Sequence, residues 1–307
     1  MTGRTALARW LVAAGCLLAC APAFAQADQR VFFPSLDGAG NAPVMLTGLW
    51  MPMLAVPAGP MAVGGSTRAP AVVLLHGCGG AWDKTGKLGQ RMRDYAELVH
   101  RAGLHALVLD SFGPRQEIEL CTQKNGSRRV NQSHRRLDAL AAVEWLAARE
   151  DVDPARIGLI GWSHGGGAVL AATNLNQRDV REAATRPAFA VAFYPGCSSE
   201  RARRYDGSAP LLLMIGEADD WTPIAPCDAL VREARKAPAA GDAKPIEYER
   251  YGGAYHGFDS PLPVRVRTDV ANGVRAGVGV HVGGDPAARD DSRAKLQRFL
   301  ARFATGG

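Results

Sequence analysis

From about residue 70 onwards, the apolar and polar positions of the chain follow two alternating patterns. Short continuous apolar runs, typical of strands buried on both faces, alternate with segments whose apolar residues recur every three or four positions. The apolar runs are AVVLLH, LHALVLD, RIGLIGW, AFAVAFYP, PLLLMIG and PIEYERY. Helices are predicted at Lys84–Ala102 and Asn131–Arg149, within HGGGAVLAATNL and PCDALVREARK, and at Pro286–Phe303. The alternation predicts an α/β fold, a mostly parallel sheet with helices on both faces.

The segment before residue 70 has a different pattern. Two apolar stretches, around Val31–Phe33 and Val44–Met53, are separated by the turn-rich PSLDGAGNAP. They predict two leading strands that pair antiparallel. At the other end of the chain, residues 262–285 have no periodicity from which an element can be predicted.

The first 25 residues have the pattern of a cleaved signal peptide. Arg4 and Arg9 are their only charges, an apolar run follows, and AFA ends at Ala25 with small residues at the cleavage positions. A lipoprotein site at Cys20 is the weaker alternative. The apolar run is short for a membrane-spanning helix. We therefore expect a periplasmic or secreted protein without stable membrane insertion, with residues 26–307 forming one domain.

Charge excludes one class of partner. Removing the leader lowers the formal net charge from +6 to +4, which is too mild to indicate nucleic-acid binding. The densest basic stretch, SRRVNQSHRR, is interpreted as a solvated loop leading into a helix. The alternative is a basic rim that attracts anionic substrates. Its arginines are Arg128, Arg129, Arg135 and Arg136.

The residues that follow each strand are the candidates for chemistry, because ligands of such sheets bind beyond the carboxyl ends of the strands. After RIGLIGW the chain reads Gly161-Trp162-Ser163-His164-Gly165, a match to G-x-S-x-G between a strand and a helix. This motif places a serine on a strained turn, and its glycines avoid clashes between crossing backbones. Ser163 is therefore predicted to be a nucleophile rather than only part of a tight turn.

A serine nucleophile needs a base and an orienting acid. In folds with this motif the acid follows the serine along the chain, and the histidine base follows the acid. His256 comes directly after a strand in a glycine-rich loop, whereas His281 lies far from any predicted strand end. Asp219 follows another strand and stands four residues before Pro223, a spacing found in many such hydrolases. Asp220 is the alternative acid, although it could instead cap the next turn.

Two backbone N–H groups are predicted to bind the oxyanion that forms when the serine attacks. One belongs to His164, the residue after the nucleophile. The other is expected in the loop after AVVLLHG, with Cys78 as the first candidate and Gly79 as the second.

Four cysteines remain after the leader is removed: Cys78, Cys121, Cys197 and Cys227. An even number in an exported chain predicts two disulfides, with three possible connectivities. We favour Cys78–Cys121 and Cys197–Cys227, because the members of each pair follow neighbouring strands at one edge of the sheet. Free buried thiols are the alternative. No C-x-x-C spacing indicates a zinc or redox site.

The residue spacing in this chain does not match the motifs that bind nucleotide cofactors. GGAWDKTGKL resembles a phosphate-binding loop, but its first glycines stand at the wrong distance from Gly86-Lys87, and Leu88 replaces the serine or threonine that would hold magnesium. No G-x-G-x-x-G follows a strand. The sequence therefore predicts neither a cofactor nor a metal.

Taken together, LLHGCGG, DSFGPR, GWSHGGG, FYPGC, GEADDWTP and YHGFD resemble the exported branch of the dienelactone hydrolase family, of the α/β-hydrolase fold. The resemblance covers about residues 70–303. It implies a Ser163–Asp219–His256 triad and hydrolysis of an ester or lactone. The best-known members use a cysteine nucleophile, whereas this chain has Ser163. GWSHGGG is also similar to the nucleophile turn of bacterial cutinases and polyester hydrolases.

These observations predict an exported monomer that hydrolyses a small ester or lactone through an acyl-enzyme on Ser163. A serine peptidase or amidase, or a polyester hydrolase, would use the same triad. A catalytically inactive hydrolase fold that serves as an exported binding protein is the alternative outside enzymes.

Overall fold

The computed structural model describes residues 27–38, 42–53, 68–236, 244–275 and 277–304. The predicted signal peptide therefore lies outside the described residues. Eight strands form the central sheet: β1 (Gln29–Pro34), β2 (Met45–Met51), β3 (Ala69–Leu75), β4 (His105–Asp110), β5 (Val152–Trp162), β6 (Phe189–Phe193), β7 (Leu211–Gly216) and β8 (Ile246–Tyr251). The helices are α1 (Gln90–Arg101), α2 (Gln132–Ala147), α3 (His164–Ala172), α4 (Arg178–Glu182), α5 (Ser198–Ala202), α6 (Ile224–Lys236) and α7 (Pro286–Ala304).

The sheet has the order β1-β2-β4-β3-β5-β6-β7-β8. β1 pairs antiparallel with β2, and β2 with β4, which confirms the predicted leading strands. All other pairs are parallel, with helices on both faces. Every residue of β4, β6 and β7 is buried, which explains their continuous apolar runs. Because β3, β5, β7 and β8 run in the same direction, the segments that follow them meet at one edge of the sheet.

The first predicted helix is six residues too long at its start. The sequence predicted a beginning at Lys84, but α1 begins at Gln90. The carboxylate of Asp83 accepts backbone N–H bonds from Thr85 at 2.8 Å and from Lys87 at 3.0 Å. This local turn competes successfully with helix formation, and the positive φ of Gly86 (+76°) closes it.

The stretch SRRVNQSHRR leads into a helix as predicted, but the two arginines at its end are buried rather than solvated. Asn131 caps α2, because its side chain accepts the N–H groups of Ser133 and His134. Arg135 and Arg136 lie in the first turns of that helix and are 0% and 9% exposed. The helix turns these two arginines towards the interior.

Residues 262–285 contain a small second sheet that the sequence did not predict. β9 (Arg265–Arg267) pairs antiparallel with β10 (Val280–Val282). His256 and Val282 form a parallel bridge, so β10 lies beside the loop that carries His256. No helix in the described part of the chain is long and apolar enough to cross a membrane.

Candidate active site

Ser163 stands on a sharp turn between β5 and α3. Its φ is +54°, a region that non-glycine residues rarely adopt, and its N–H donates to the carbonyl of Phe193 at 2.9 Å. A Cβ on Gly161 would collide with the backbone of Gly165, and one on Gly165 would collide with the carbonyl of Leu75 in β3. The glycines of the motif are therefore required by crossing backbones, and the turn presents the serine side chain at the sheet edge.

The structure brings Ser163, His256 and Asp219 into one hydrogen-bonded chain. Nε2 of His256 lies 3.0 Å from Oγ of Ser163, and Nδ1 lies 2.8 Å from Oδ2 of Asp219. Asp219 and His256 are 4% and 3% exposed, and Ser163 is 9% exposed. Serine reaches one imidazole nitrogen and a carboxylate reaches the other, which is the geometry of a nucleophile, its base and an orienting acid.

The two aspartates considered from sequence have different partners. Oδ1 of Asp219 accepts the backbone N–H groups of Trp221 at 2.9 Å and Thr222 at 2.8 Å, which fixes the carboxylate that faces His256. Asp220 instead accepts from the backbone N–H of His281 at 2.8 Å, and its Oδ2 lies 2.7 Å from Nδ1 of that ring. Asp220 and His281 therefore form a separate pair, outside the chain that reaches Ser163.

Both predicted oxyanion donors lie beside the serine. Cys78 and His164 line the same cleft as Ser163. His164 is the first residue of α3, where backbone N–H groups have no partner within the helix and the helix dipole favours an anion. Cys78 lies in the loop after β3, and its carbonyl accepts the N–H of Leu120 at 2.7 Å.

The cysteines are paired as the sequence favoured. Cys78 is joined to Cys121 and Cys197 to Cys227. The first disulfide ties the loop after β3 to the loop after β4, next to the cleft. The second ties the start of α5 to α6, the helix that follows the Asp219 loop.

Sequence reasoning missed a buried network behind His256. Asp259 is 1% exposed and accepts from Tyr194 Oη at 2.7 Å and from Arg91 at 3.1 and 3.2 Å. Burial alone would raise the pKa of Asp259, but Arg91 and the hydrogen bonds outweigh it and lower the pKa. The Tyr194 ring packs edge-on against His256, with centroids 4.6 Å apart. The motif YHGFD contains Asp259, whereas nothing in the sequence pointed to Arg91.

The cleft that contains Ser163 has a volume of about 500 Å³ and a wall with both polar and apolar surface. Trp221 forms part of its apolar surface and packs on His256, with ring centroids 4.8 Å apart. Arg128 also lines it. Arg115, in the loop after β4, binds the carboxylate of Asp138 at 2.8 Å. Within the described ranges, no group of three or more His, Cys, Asp or Glu side chains could hold a metal ion.

Comparison with known sequences gives a match to a family model and a similarity to a curated protein. A family model described as the dienelactone hydrolase family matches residues 54–303. An uncharacterized protein of Mycobacterium tuberculosis (strain ATCC 25618 / H37Rv) is 28% identical over 225 residues, which cover 68% of this chain and 70% of that protein.

Solved structures share the fold at low sequence identity. A dienelactone hydrolase-like promiscuous phosphotriesterase from metagenomic libraries is 18% identical, with a TM-score of 0.62 over 91% of this chain and 100% of that chain. A carboxylesterase of Lactobacillus plantarum is 16% identical, with a TM-score of 0.59 over 92% and 100%. Esterase 2 of Thermogutta terrifontis is 20% identical, with a TM-score of 0.59 over 91% and 97%. The chain therefore has the α/β-hydrolase fold.

Proposed function

The chain belongs to the dienelactone hydrolase family, and from this membership we propose that it is an exported serine hydrolase that cleaves a carboxylic ester or lactone. The observation that carries the proposal is the hydrogen-bonded chain from Ser163 through His256 to Asp219. The carboxylesterase and esterase with this fold act on the class of bond that their names state, which supports ester hydrolysis.

Acylation begins when His256 removes the proton of Ser163 and Oγ attacks the carbonyl carbon. Asp219 holds His256 with Nδ1 protonated, so that Nε2 is free to accept the serine proton. The same carboxylate stabilises the imidazolium that results. The N–H groups of His164 and Cys78 bind the oxyanion of the tetrahedral intermediate, and the imidazolium then protonates the leaving alcohol.

Deacylation repeats these steps with water as the nucleophile. His256 takes a proton from water as it attacks the acyl carbon, and returns a proton to Oγ of Ser163 when the bond to the acid breaks. The enzyme is regenerated and the carboxylic acid is released. For a lactone the two products remain one molecule, because the leaving alcohol and the acid belong to the same chain.

A fluorophosphonate probe tests the nucleophile. We expect it to label Ser163, as located by peptide mass mapping, and to abolish turnover of a p-nitrophenyl ester. Ser163→Ala should lose turnover by at least about 10³-fold while remaining folded. Label on another residue, or equal turnover by the wild type and the alanine variant, would contradict the proposal and favour an inactive binding protein.

A second assay distinguishes an ester hydrolase from an amidase. A p-nitroanilide with the same acyl group places the same acyl chain in the cleft but has a poorer leaving group. We expect turnover of the ester and not of the anilide. Turnover of both at similar rates would instead indicate a peptidase or amidase.

Export is the other part of the proposal, and two disulfides are compatible with an oxidising compartment. We expect N-terminal sequencing of the protein recovered outside the cytoplasm to begin at Gln26. A mature protein that retains residues 1–25, or one that begins at Cys20 with a lipid, would replace this interpretation.

A further inference from the structure

Arg135 is a buried cation below the cleft, with no ion-pair partner. The residue is 0% exposed, and within the described part of the chain no carboxylate oxygen lies within 4.0 Å of its nitrogens. The carboxylates that act on it from farther away, Asp138 and Asp110, bind other groups, which include Arg115 and Trp82. Burial lowers the pKa of Arg135 to about 10, so its charge is retained at neutral pH. A buried charge without a counter-ion is costly and calls for a specific role.

The guanidinium joins two separate segments of the site. Nη2 donates to the carbonyl of His76 at 2.9 Å, in the loop after β3. Nη1 donates to Nδ1 of His164 at 3.3 Å, in the turn after Ser163. The cation also lies over the ring of Phe112, at 5.1 Å from its centroid. The two segments held in this way are those that carry the proposed oxyanion donors.

In the first segment, the His76 ring sets the direction of a peptide, while Arg135 holds the backbone carbonyl of the same residue. Burial and the nearby Arg135 charge lower the pKa of His76 well below its usual value, so the ring is neutral. Its Nδ1–H donates to the carbonyl of Gly77 at 2.8 Å. In a planar trans peptide the carbonyl and the following N–H point in opposite directions. With the Gly77 carbonyl fixed towards His76, the N–H of Cys78 must point away from it.

In the second segment, the contact selects a tautomer. Burial, and then the Arg135 charge, lower the pKa of His164 well below its usual value, so this imidazole is also neutral. Because an arginine can only donate, Nδ1 of His164 must accept, and the ring proton belongs to Nε2. Gln132, on the same helix as Arg135, also donates to the backbone carbonyl of His164 at 3.0 Å.

We propose that Arg135 is a positioning residue of the oxyanion site, which holds the backbone segments of Cys78 and His164 in register with each other and fixes His164 as the Nε2–H tautomer. The inference rests on the proposed function. It assigns no contact between Arg135 and substrate. Preorganised donors act on the charge that develops in the transition state, so the effect belongs to kcat rather than to KM.

The kinetic test compares Arg135, in the first turns of α2, with Arg149, a half-buried arginine that follows the end of this helix. Arg135→Met should lower kcat for a p-nitrophenyl ester by about 10–100-fold, less than the 10²–10³-fold typical of deleting one oxyanion donor, with KM changed less than about 3-fold. Arg149→Met is the matched control, because Arg149 binds Asp151 at 2.9 Å, lies over the ring of Trp50 and does not line the cleft. Its kcat should stay within about 3-fold of the wild type.

Two kinetic results would overturn the proposal: a folded Arg135→Met variant with kcat near that of the wild type, or an equal loss of kcat in Arg149→Met. Loss of wild-type turnover in Ser163→Ala is established first. Failure of the proposed function is thereby recognised separately from failure of this inference.

A spectroscopic measurement on the wild-type protein tests the proposal even if Arg135→Met does not fold. Nitrogen-15 NMR of the wild-type imidazoles distinguishes a protonated Nε2 from a protonated Nδ1, and the His164 signals are identified by their loss in His164→Gln. We expect a neutral ring at pH 7 with the proton on Nε2. A proton on Nδ1 would show that Arg135 does not donate to this ring, and would reject the proposal.

Discussion

At the scale of single residues, Gly165 is a position where one methyl group would meet two carbonyls of a crossing backbone segment. A Cβ there would overlap the carbonyls of Leu75 and His76, which cannot rotate away as a side chain could. We expect Gly165→Ala to lower the free energy of unfolding by about 1–3 kcal/mol, as overpacked interiors do. The turnover loss should be larger, near 10²-fold, because the displaced turn carries Ser163.

Gly126→Ala is the matched control for this substitution. A Cβ at Gly126 would find no atom within 4 Å, and its φ lies outside the left-handed region. Urea unfolding and ester turnover should both remain close to wild type in this variant. Equal behaviour of the two alanine variants in both assays would contradict the crossing-backbone argument.

The adjacent aspartates offer a second comparison at this scale. Asp219→Asn should lower kcat by roughly 10³–10⁴-fold, since an amide can donate to Nδ1 of His256 and favour the wrong tautomer. Asp220→Asn changes only the pair with His281, and its kcat should fall less than about 10-fold. The kcat values of the two variants are compared at pH 8. A larger loss in Asp220→Asn would reassign the acid.

At the scale of elements, the two disulfides have similar expected stability effects but different positions. They close loops of 43 and 30 residues, and loop-closure entropy assigns each about 4 kcal/mol. Only Cys78–Cys121 holds a proposed oxyanion segment. We expect the double alanine variants to lose similar stability, while the Cys78/Cys121 variant loses at least about 10-fold more kcat than the Cys197/Cys227 variant. Comparable kcat in both variants, measured well below their unfolding temperatures, would show that the backbone alone holds the loop.

Local pattern was sufficient to predict some elements and insufficient for others. The strand before Ser163 and its glycine turn are specified within a dozen residues, so the sequence predicted both. The β9–β10 pair consists of two three-residue strands separated by 12 residues, and such short elements have no period to detect. The proposed role of Arg135 depends on contacts with residues 29 and 59 positions away. No local signal could reveal a cation held by such distant partners.

At the scale of the whole molecule, the site is assembled from the ends of parallel strands. Cys78, Ser163, Asp219 and His256 follow β3, β5, β7 and β8 and are contributed by segments up to 178 positions apart. That these segments meet was predicted, because parallel topology brings the ends of the strands to one edge. The hydrogen-bond distances were not predicted, because they depend on sheet twist and on how the loops pack.

The buried histidines predict how the stability of the whole protein depends on pH. Burial, with the Arg135 charge as the second cause, lowers the pKa of His76 and His164 well below 6.5. Below pH 6.5 the unfolded chain binds protons at these rings and the folded protein does not, so the free energy of unfolding falls as pH falls. Each ring contributes up to about 1.4 kcal/mol per pH unit, and the pair about 3 kcal/mol.

Urea unfolding between pH 6.0 and 5.0 emphasises this effect, because the unfolded chain protonates the carboxyls whose folded pKa is lowered, such as Asp259, only near their ordinary value of 3.8. Burial also lowers the pKa of His105, which adds to the same slope. His164→Gln removes one proton-binding ring of the unfolded chain, so we expect the slope of the unfolding free energy against pH to decrease by about 1.4 kcal/mol per pH unit. An unchanged slope in that variant would mean that His164 is protonated in the folded protein. A protonated ring could not accept the hydrogen bond from Arg135, so the same measurement also bears on the contact that joins α2 to the serine turn.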